Sequence, residues 1–318
     1  MVFHARGESS RAGTKQCGMN PVRATASRRL EGLDALRGLA AVSVMAYHYT
    51  SWYSWQMGGH PEPGVSLAFP YGNYGVELFF IISGFVIFMT LERSSSAAGF
   101  LVSRFARLWP AFLASMVVTI LSGAILGGFG PPFDIARIAA NLTMAPELLN
   151  AQALDGSYWS LQYELAFYFL GGFVWFVLRP RDPELSCAVW LLASLALRFA
   201  SFGRVELIQL AAAPFSQLFV IGIMLYRFHA GRATASTWAV MTLAFAMTLF
   251  GPHAAVNQLP VPWYSCMIAC FAALVWLATT PRVRLPLIAP LLFLGRISYP
   301  LSLLSGVFRT NRSEVSDL

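Results

Sequence analysis

The stretch that decides the fold is YGVELFFIISGFVIFMTL, residues 74–91, which holds one charged side chain, Glu77. A helix that crosses the hydrocarbon core of a bilayer needs about 20 predominantly apolar residues. The rest of the chain has the same character, since 57% of its 318 residues are hydrophobic and 12% are charged. Soluble domains carry about 25% charged residues. The sequence therefore predicts a membrane protein.

Eight further apolar runs resemble this one and are separated by connections rich in Pro and Gly. We predict an all-α, polytopic transmembrane helix bundle of about nine spans. With residues 74–91 as the second, the other spans are expected at 33–52, 108–127, 158–178, 186–202, 208–227, 234–250, 262–280 and 287–305.

The distribution of arginine predicts the orientation of the bundle. Placing the N-terminus in the cytoplasm puts most loop arginines on that side, while the opposite loops 53–73 and 251–261 contain no Lys or Arg. Cytoplasmic loops of membrane proteins are enriched in these residues. The basic segment 1–30 has no apolar core typical of a signal peptide and is predicted to be a disordered cytoplasmic tail. Residues 31–305 would form the transmembrane domain and 306–318 a short polar tail.

The net charge of +7 does not point to nucleic acid, because the sequence shows no basic face interleaved with aromatic residues. The arginines are better explained as loop anchors at the membrane surface, in contact with lipids. The four cysteines have no spacing with His that would form a zinc site, so no metal is expected.

The first span carries Arg37 and His48, which are eleven residues apart. Eleven steps of about 100° return to nearly the same side of a helix, so both side chains should face one way. Ionisable residues within a span usually face the interior and serve a function. Arg37 could instead be an anchor at the inner boundary, and His48 a donor in helix packing. Asp34 is placed to pair with Arg37 at i,i+3.

Three further sets of polar residues flank the next spans. Glu77 is either a solvated carboxylate at the outer interface or a cavity residue. Arg104 and Arg107 lie one turn apart at the inner boundary, where paired guanidiniums suit phosphate groups, although ordinary loop anchors would look the same. Glu164 lies about two turns inside its span, so it should pair with a cation or bind as a neutral acid. A contact with His48 would strengthen that imidazole as a base.

In this order, the motifs resemble the membrane-bound acyltransferase 3 family, which O-acylates extracytoplasmic glycans. The similarity covers roughly residues 30 to 304. An Arg-x10-His pair corresponds to Arg37 and His48, and a GV-[DE]-hFFhhSGFhh stretch (h, apolar) corresponds to residues 75–87. The motif R-x-x-R before an aromatic residue and Pro lies at 104–110, and W-S-L-x-x-E-x-x-F-Y lies at 159–168. Residues 295–304 are similar to a late ISY-x-LYL segment.

The resemblance implies transfer of an acyl group, most simply acetyl from acetyl-CoA, to a hydroxyl of exopolysaccharide, lipopolysaccharide or a related carbohydrate at the bacterial inner (plasma) membrane. Arg104 and Arg107 would bind the donor, and His48, Glu164 and Arg37 would form the catalytic set. The alternatives are a proton-coupled transporter or flippase, and a non-catalytic partner in polysaccharide assembly. The family pattern continues into a tenth span where this sequence reads LSLLSGVFRTNRSEVSDL, so a truncated end and low activity are expected.

Overall fold

The structure is a computed structural model that describes residues 21–52, 68–126, 134–155, 157–200, 211–249 and 259–280, together with Leu294. These parts of the chain contain helices and no strand. The α-helices are α1 Pro21–Tyr47, α2 Gly75–Arg93, α3 Ala97–Leu126, α4 Ile135–Asn141, α5 Trp159–Phe173, α6 Pro183–Ala200, α7 Ser216–His229, α8 Ala235–Thr248 and α9 Val261–Thr279. Short π turns continue α1 (His48–Trp52) and α5 (Val174–Leu178), and 3-10 turns lie at Gly72–Tyr74, Pro146–Leu149 and Ala213–Phe215.

The long helices alternate in direction. Ser115, late in α3, contacts Tyr158 at the start of α5, whereas Phe100, early in α3, contacts Tyr168. The same alternation joins α1 to α2, α6 to α7 and α8 to α9. One end of the bundle therefore collects the C-terminal ends of α1, α3, α6 and α8, and we call it the His48 end. The opposite end is called the Arg104 end.

Four helical segments are long and apolar enough to cross a membrane, and the described part of α8 is a shorter apolar helix. These segments are Gly72–Arg93, Ala97–Ser122, Trp159–Leu178 and Val261–Thr279. They indicate an integral membrane protein. The predicted span 287–305 and the polar tail lie outside the described residues, apart from Leu294, so the number of nine spans stays a prediction.

Two helices begin earlier than the hydropathy pattern predicts. Helix α1 starts at Pro21, within the segment expected to be the tail, and α3 starts at Ala97, eleven residues before the predicted span. In α3 the added turns carry Arg104 and Arg107, which lower the mean hydropathy of that segment. A hydropathy window finds the part of a helix that lies in lipid, while the helix itself continues into the interface.

Helix α2 is the centre of the bundle. It packs against α1, α5, α7 and α9. Of the 18 most apolar consecutive residues in its segment, 83% are buried, compared with 28–39% in the other three candidate spans. Its crossing with α7 is a contact of backbone on backbone. A Cβ atom added at Gly84 would collide with the carbonyl oxygen of Phe219, and one added at Gly222 would collide with that of Ile81. Small residues allow this approach between membrane helices.

We expect Gly84→Ala and Gly222→Ala each to destabilise the bundle by about 1–3 kcal/mol, because the added methyl group forces the two helices apart. Thermal unfolding in detergent measures the effect. Gly172→Ala is the matched control, since its methyl group would lie at an ordinary 3.6 Å from Phe100. Equal melting temperatures for all three variants would contradict the close crossing.

Candidate functional site

Glu164 is the best-defined polar residue in the interior. Its carboxylate accepts a hydrogen bond from Ser83 Oγ of α2 at 3.0 Å and one from Tyr168 Oη of its own helix at 2.6 Å. Tyr168 lies on the same face because it is four residues further along α5. The side chain is buried, with 6% of the residue exposed. Glu164 is therefore held by two hydroxyl donors and joins α5 to the central helix.

Arg37 lies inside the bundle. It is 4% exposed, and its guanidinium pairs with Asp34 at 3.5 Å, as the i,i+3 spacing predicts. A side chain that reached toward the membrane surface would not be enclosed by protein. The structure thus favours an interior position for Arg37 over a role as an anchor at the inner membrane boundary.

His48 begins the π turn that follows α1 and is half-buried beside the ring of Tyr47, with ring centroids 5.4 Å apart. The π geometry widens the helix by one residue and is found frequently at functional sites. Arg37 and His48 belong to one continuous helical segment. Arg37 lies in its buried part, and His48 lies at its end.

The helix packing places His48 and Glu164 at different levels of the bundle, which does not favour the contact that the sequence left possible. Gly75 of α2 lies against the Ala40 carbonyl of α1, which aligns these two helices. His48 is eight residues from Ala40 toward the His48 end, and Ser83 is eight residues from Gly75 toward the other end. At 1.5 Å per residue, the two levels are roughly 24 Å apart along the bundle. Hydropathy places both residues within spans but gives neither their depth nor their neighbours.

Arg104 and Arg107 lie in the first turns of α3, toward the Arg104 end. Arg104 is half-buried with its guanidinium 6.0 Å from the centroid of the Phe100 ring, and Arg107 is exposed. One helix presents both, three residues apart, as the sequence predicts. An exposed guanidinium next to one oriented by an aromatic ring can bind a phosphate group from solution.

Buried Glu77 and half-buried Arg198 extend the interior polar set. Glu77 is 2% exposed, so it is not a solvated interfacial carboxylate. Arg198 of α6 was not predicted as a site residue. Its Nη2 donates hydrogen bonds to the carbonyls of Ala213 and Pro214 and to Gln217 Oε1. A cation within an apolar run was the signal for Arg198 in the sequence.

Hydrogen bonds from Arg198 hold the turn that precedes α7. The turn Ala213–Phe215 carries Phe215, whose ring packs on Phe80, Trp159 and Tyr163 within 4.8–5.6 Å. Phe80 and Trp159 lie about one turn closer to the His48 end than Ser83 and Glu164, and Tyr163 directly precedes Glu164. The anchored turn therefore covers Glu164 on that side.

A folded connection covers the same end between α3 and α5. The side chain of Asn141 is fully buried, donates to the carbonyls of Arg137 and Gln152, and accepts from the Leu154 amide. Glu147 accepts a hydrogen bond from Gln162 of α5 at 3.0 Å. This connection is ordered by its own polar contacts, as expected of a surface loop that shapes a site.

Within the described ranges, no group of three His, Cys, Asp or Glu side chains is placed to hold a metal ion. The charged groups described above are carboxylates with hydroxyl donors and guanidiniums. Such groups bind phosphates, orient polar substrates and transfer protons.

The model of one protein family, described as an acyltransferase domain, matches residues 30–310. The chain belongs to the acyltransferase 3 family. The match includes every candidate residue named above, from Arg37 to Arg198. No solved structure matches the chain significantly.

Three relatives illustrate the family. The chain is 31% identical to nodulation protein 10 of Rhizobium leguminosarum bv. viciae, over 47% of this chain and 45% of that protein. It is 30% identical to an O-acetyl transferase of Shigella phage Sf6, over 44% of each. It is 33% identical to the peptidoglycan O-acetyltransferase OatA of Listeria monocytogenes, over 28% of this chain and 13% of that protein. The matched stretches thus span less than half of each of these relatives.

We expect Arg198→Met to lower the stability of the bundle by about 1–3 kcal/mol, because it removes the hydrogen bonds that join α6 to the Ala213–Phe215 turn. Thermal unfolding in detergent, compared with Arg93→Met, measures this loss. Arg93 is exposed at the end of α2, so its replacement should have little effect. If both variants have the same melting temperature, Arg198 does not stabilise the turn.

Proposed function

We propose that this protein is a membrane O-acyltransferase that moves an acetyl group from acetyl-CoA to a hydroxyl of an extracytoplasmic carbohydrate, such as exopolysaccharide or lipopolysaccharide. The observation that carries the proposal is the division of the polar residues within an acyltransferase 3 domain. Arg104 and Arg107 lie toward one end of the bundle and His48 toward the other. A donor used in the cytoplasm and an acceptor outside it require such a division.

The proposal includes the topology. In a bacterial inner membrane, nine spans with the N-terminus in the cytoplasm would place the Arg104 end inside and the His48 end outside. The arginine distribution of the loops supports this orientation.

Arg104 and Arg107 are proposed to bind the phosphates of acetyl-CoA. Two guanidiniums on one helical face can each offer paired donors to phosphate oxygens. The acyl-bearing arm would then enter the interior, where Glu164 is a fixed acceptor for its amide groups.

His48 is proposed as the general base. It would take the proton of the acceptor hydroxyl while the oxygen attacks the thioester carbonyl, forming a C–O bond. The C–S bond then breaks and the thiolate leaves with the electron pair. Arg37 pairs with Asp34 and lies about 16 Å from His48 along the helix, so it would contact the donor and not the reacting carbonyl.

The alternatives make different predictions for one assay. Membranes that contain the protein are incubated with radiolabelled acetyl-CoA, and label in carbohydrate is counted. A transporter or flippase would move a solute without acetylating it. A non-catalytic assembly partner would give no label unless a second enzyme were present.

We expect His48→Gln to abolish transfer while the protein remains inserted and abundant, because glutamine fills the space but cannot take a proton at neutral pH. The matched control is His229→Gln, which changes a half-buried histidine at the Arg104 end, 5.6 Å from the Phe85 ring. Transfer within a few-fold of the wild-type rate in His48→Gln would exclude it as the base.

The double variant Arg104→Lys and Arg107→Lys should raise the KM for acetyl-CoA about tenfold with a smaller change in kcat, because lysine keeps the charge but loses the paired donors. Arg93→Lys, at the same end of the bundle, is the control. An unchanged KM in the double variant would make these residues topological anchors.

A further inference from the structure

An apolar groove lies between α2, α5, α6 and α7, toward the Arg104 end. It encloses a cavity of about 80 Å³ whose walls include Leu91, Gly171, Val174 and Cys187. The cavity surface is almost entirely carbon and sulfur. A buried water needs two to four polar partners, so this cavity suits a hydrocarbon rather than water.

Two pairs of lining residues mark the ends of the groove along the helices. Phe167 and Trp190 stack at one end with nearly parallel rings, 5.6 Å between centroids. Pro180 and Pro183 form the opposite end, in the turn between α5 and α6. From Pro183 to Trp190 is seven residues of α6, about 10 Å of helix. The cavity has room for only a few methylene groups, so it suits part of one acyl chain that lies along the groove.

The end of the groove at Pro180 carries cations. Arg179 and Arg181 are exposed on the two sides of Pro180, and the only acidic residue within this turn is the exposed Asp182. Arg179 adopts a left-handed backbone conformation, and its Nε donates to the carbonyl of Phe176 at 3.1 Å. That bond keeps the guanidinium at the turn. Basic residues at the cytoplasmic end of a crevice between membrane helices suit anionic lipid headgroups.

The proposed donor site lies on a different face of α5. Phe105, next to Arg104, contacts Phe169, and Gly172 faces Phe100 of α3. Gly171, in contrast, faces the groove and Leu91 of α2. An acyl chain in the groove would thus belong to a different molecule from a donor bound at Arg104.

We propose that this groove binds one acyl chain of an anionic phospholipid of the surrounding leaflet, with its phosphate at Arg179 and Arg181. The lipid fills the junction of four helices and belongs to the folded bundle. The proposal depends on the membrane location and not on the acyltransferase reaction.

The test uses the full chain purified in detergent, with phosphatidylglycerol and phosphatidylcholine of equal chain length as probes. Native mass spectrometry counts bound lipid, and thermal unfolding gives the stabilisation. We expect the wild type to bind phosphatidylglycerol at least fivefold more tightly than phosphatidylcholine. Gly171→Ala should weaken binding of both lipids and Gly171→Leu should abolish it, because the new side chain occupies the groove.

Two controls separate lipid binding from general damage. Gly172→Ala adds a methyl group on the neighbouring face of α5 and should bind lipid like the wild type. The double variant Arg179→Gln and Arg181→Gln leaves the groove intact and should lose only the preference for phosphatidylglycerol, whereas Arg93→Gln should keep it.

Three results would overturn the proposal. Equal binding of the two lipids by the wild type would remove the role of the arginines. Unchanged lipid binding in Gly171→Leu would place the lipid elsewhere. Displacement of phosphatidylglycerol by palmitoyl-CoA, itself lost in Gly171→Leu, would assign the groove to an acyl donor.

Discussion

The contact between α2 and α7 at Gly84 and Gly222 is the constraint on which the rest of the bundle depends. In lipid, helices gain little from burying apolar surface, so their association depends on close packing and hydrogen bonds. Here two backbones touch without intervening side chains. Ser83, next to Gly84, is thereby set at the depth where it donates to Glu164 of α5. A shift of α2 along α7 would move this hydroxyl away from the carboxylate.

Several interior charges are tolerated because side chains of neighbouring helices provide them with polar partners. Glu184 of α6, which is 3% exposed, pairs with Arg227 of α7 at 2.9 Å and accepts a hydrogen bond from Thr237 of α8. Glu92 of α2 binds Arg232 and the hydroxyl of Tyr226. Removal of one member of a buried pair is costly because it leaves the other charge without compensation. These contacts join neighbouring helices at the Arg104 end. At the His48 end, Arg198 joins α6 to the start of α7.

Periodicity and charge in the sequence were enough to predict the helical class, the alternating directions, the pairing of Asp34 with Arg37 and the common face of Arg104 and Arg107. These properties depend on residues that are near one another in the chain. The position of Glu164 relative to His48 depends instead on which helices are neighbours and at what depth they cross. Helix α2 contacts both α1 and α5, and hydropathy carries no information about that arrangement. Arg198 is a cation in an apolar run, but two of its three acceptors are backbone carbonyls, so the sequence does not indicate what it binds.

The rigidity of the central pair bears on the choice between enzyme and carrier. Alternating access requires one part of a transporter to rock against another around a midplane site. The crossing of α2 with α7 leaves no room for sliding, and α2 also carries contacts to α1, α5 and α9. In a carrier, the other helices would have to move around the packed pair of α2 and α7. An acyl transfer needs no such motion of the frame, because the donor arm and the acceptor can enter a fixed interior from opposite ends. A closely packed centre next to the hydroxyl-bonded Glu164 and the buried Arg37 therefore suits an acyltransferase better than a carrier.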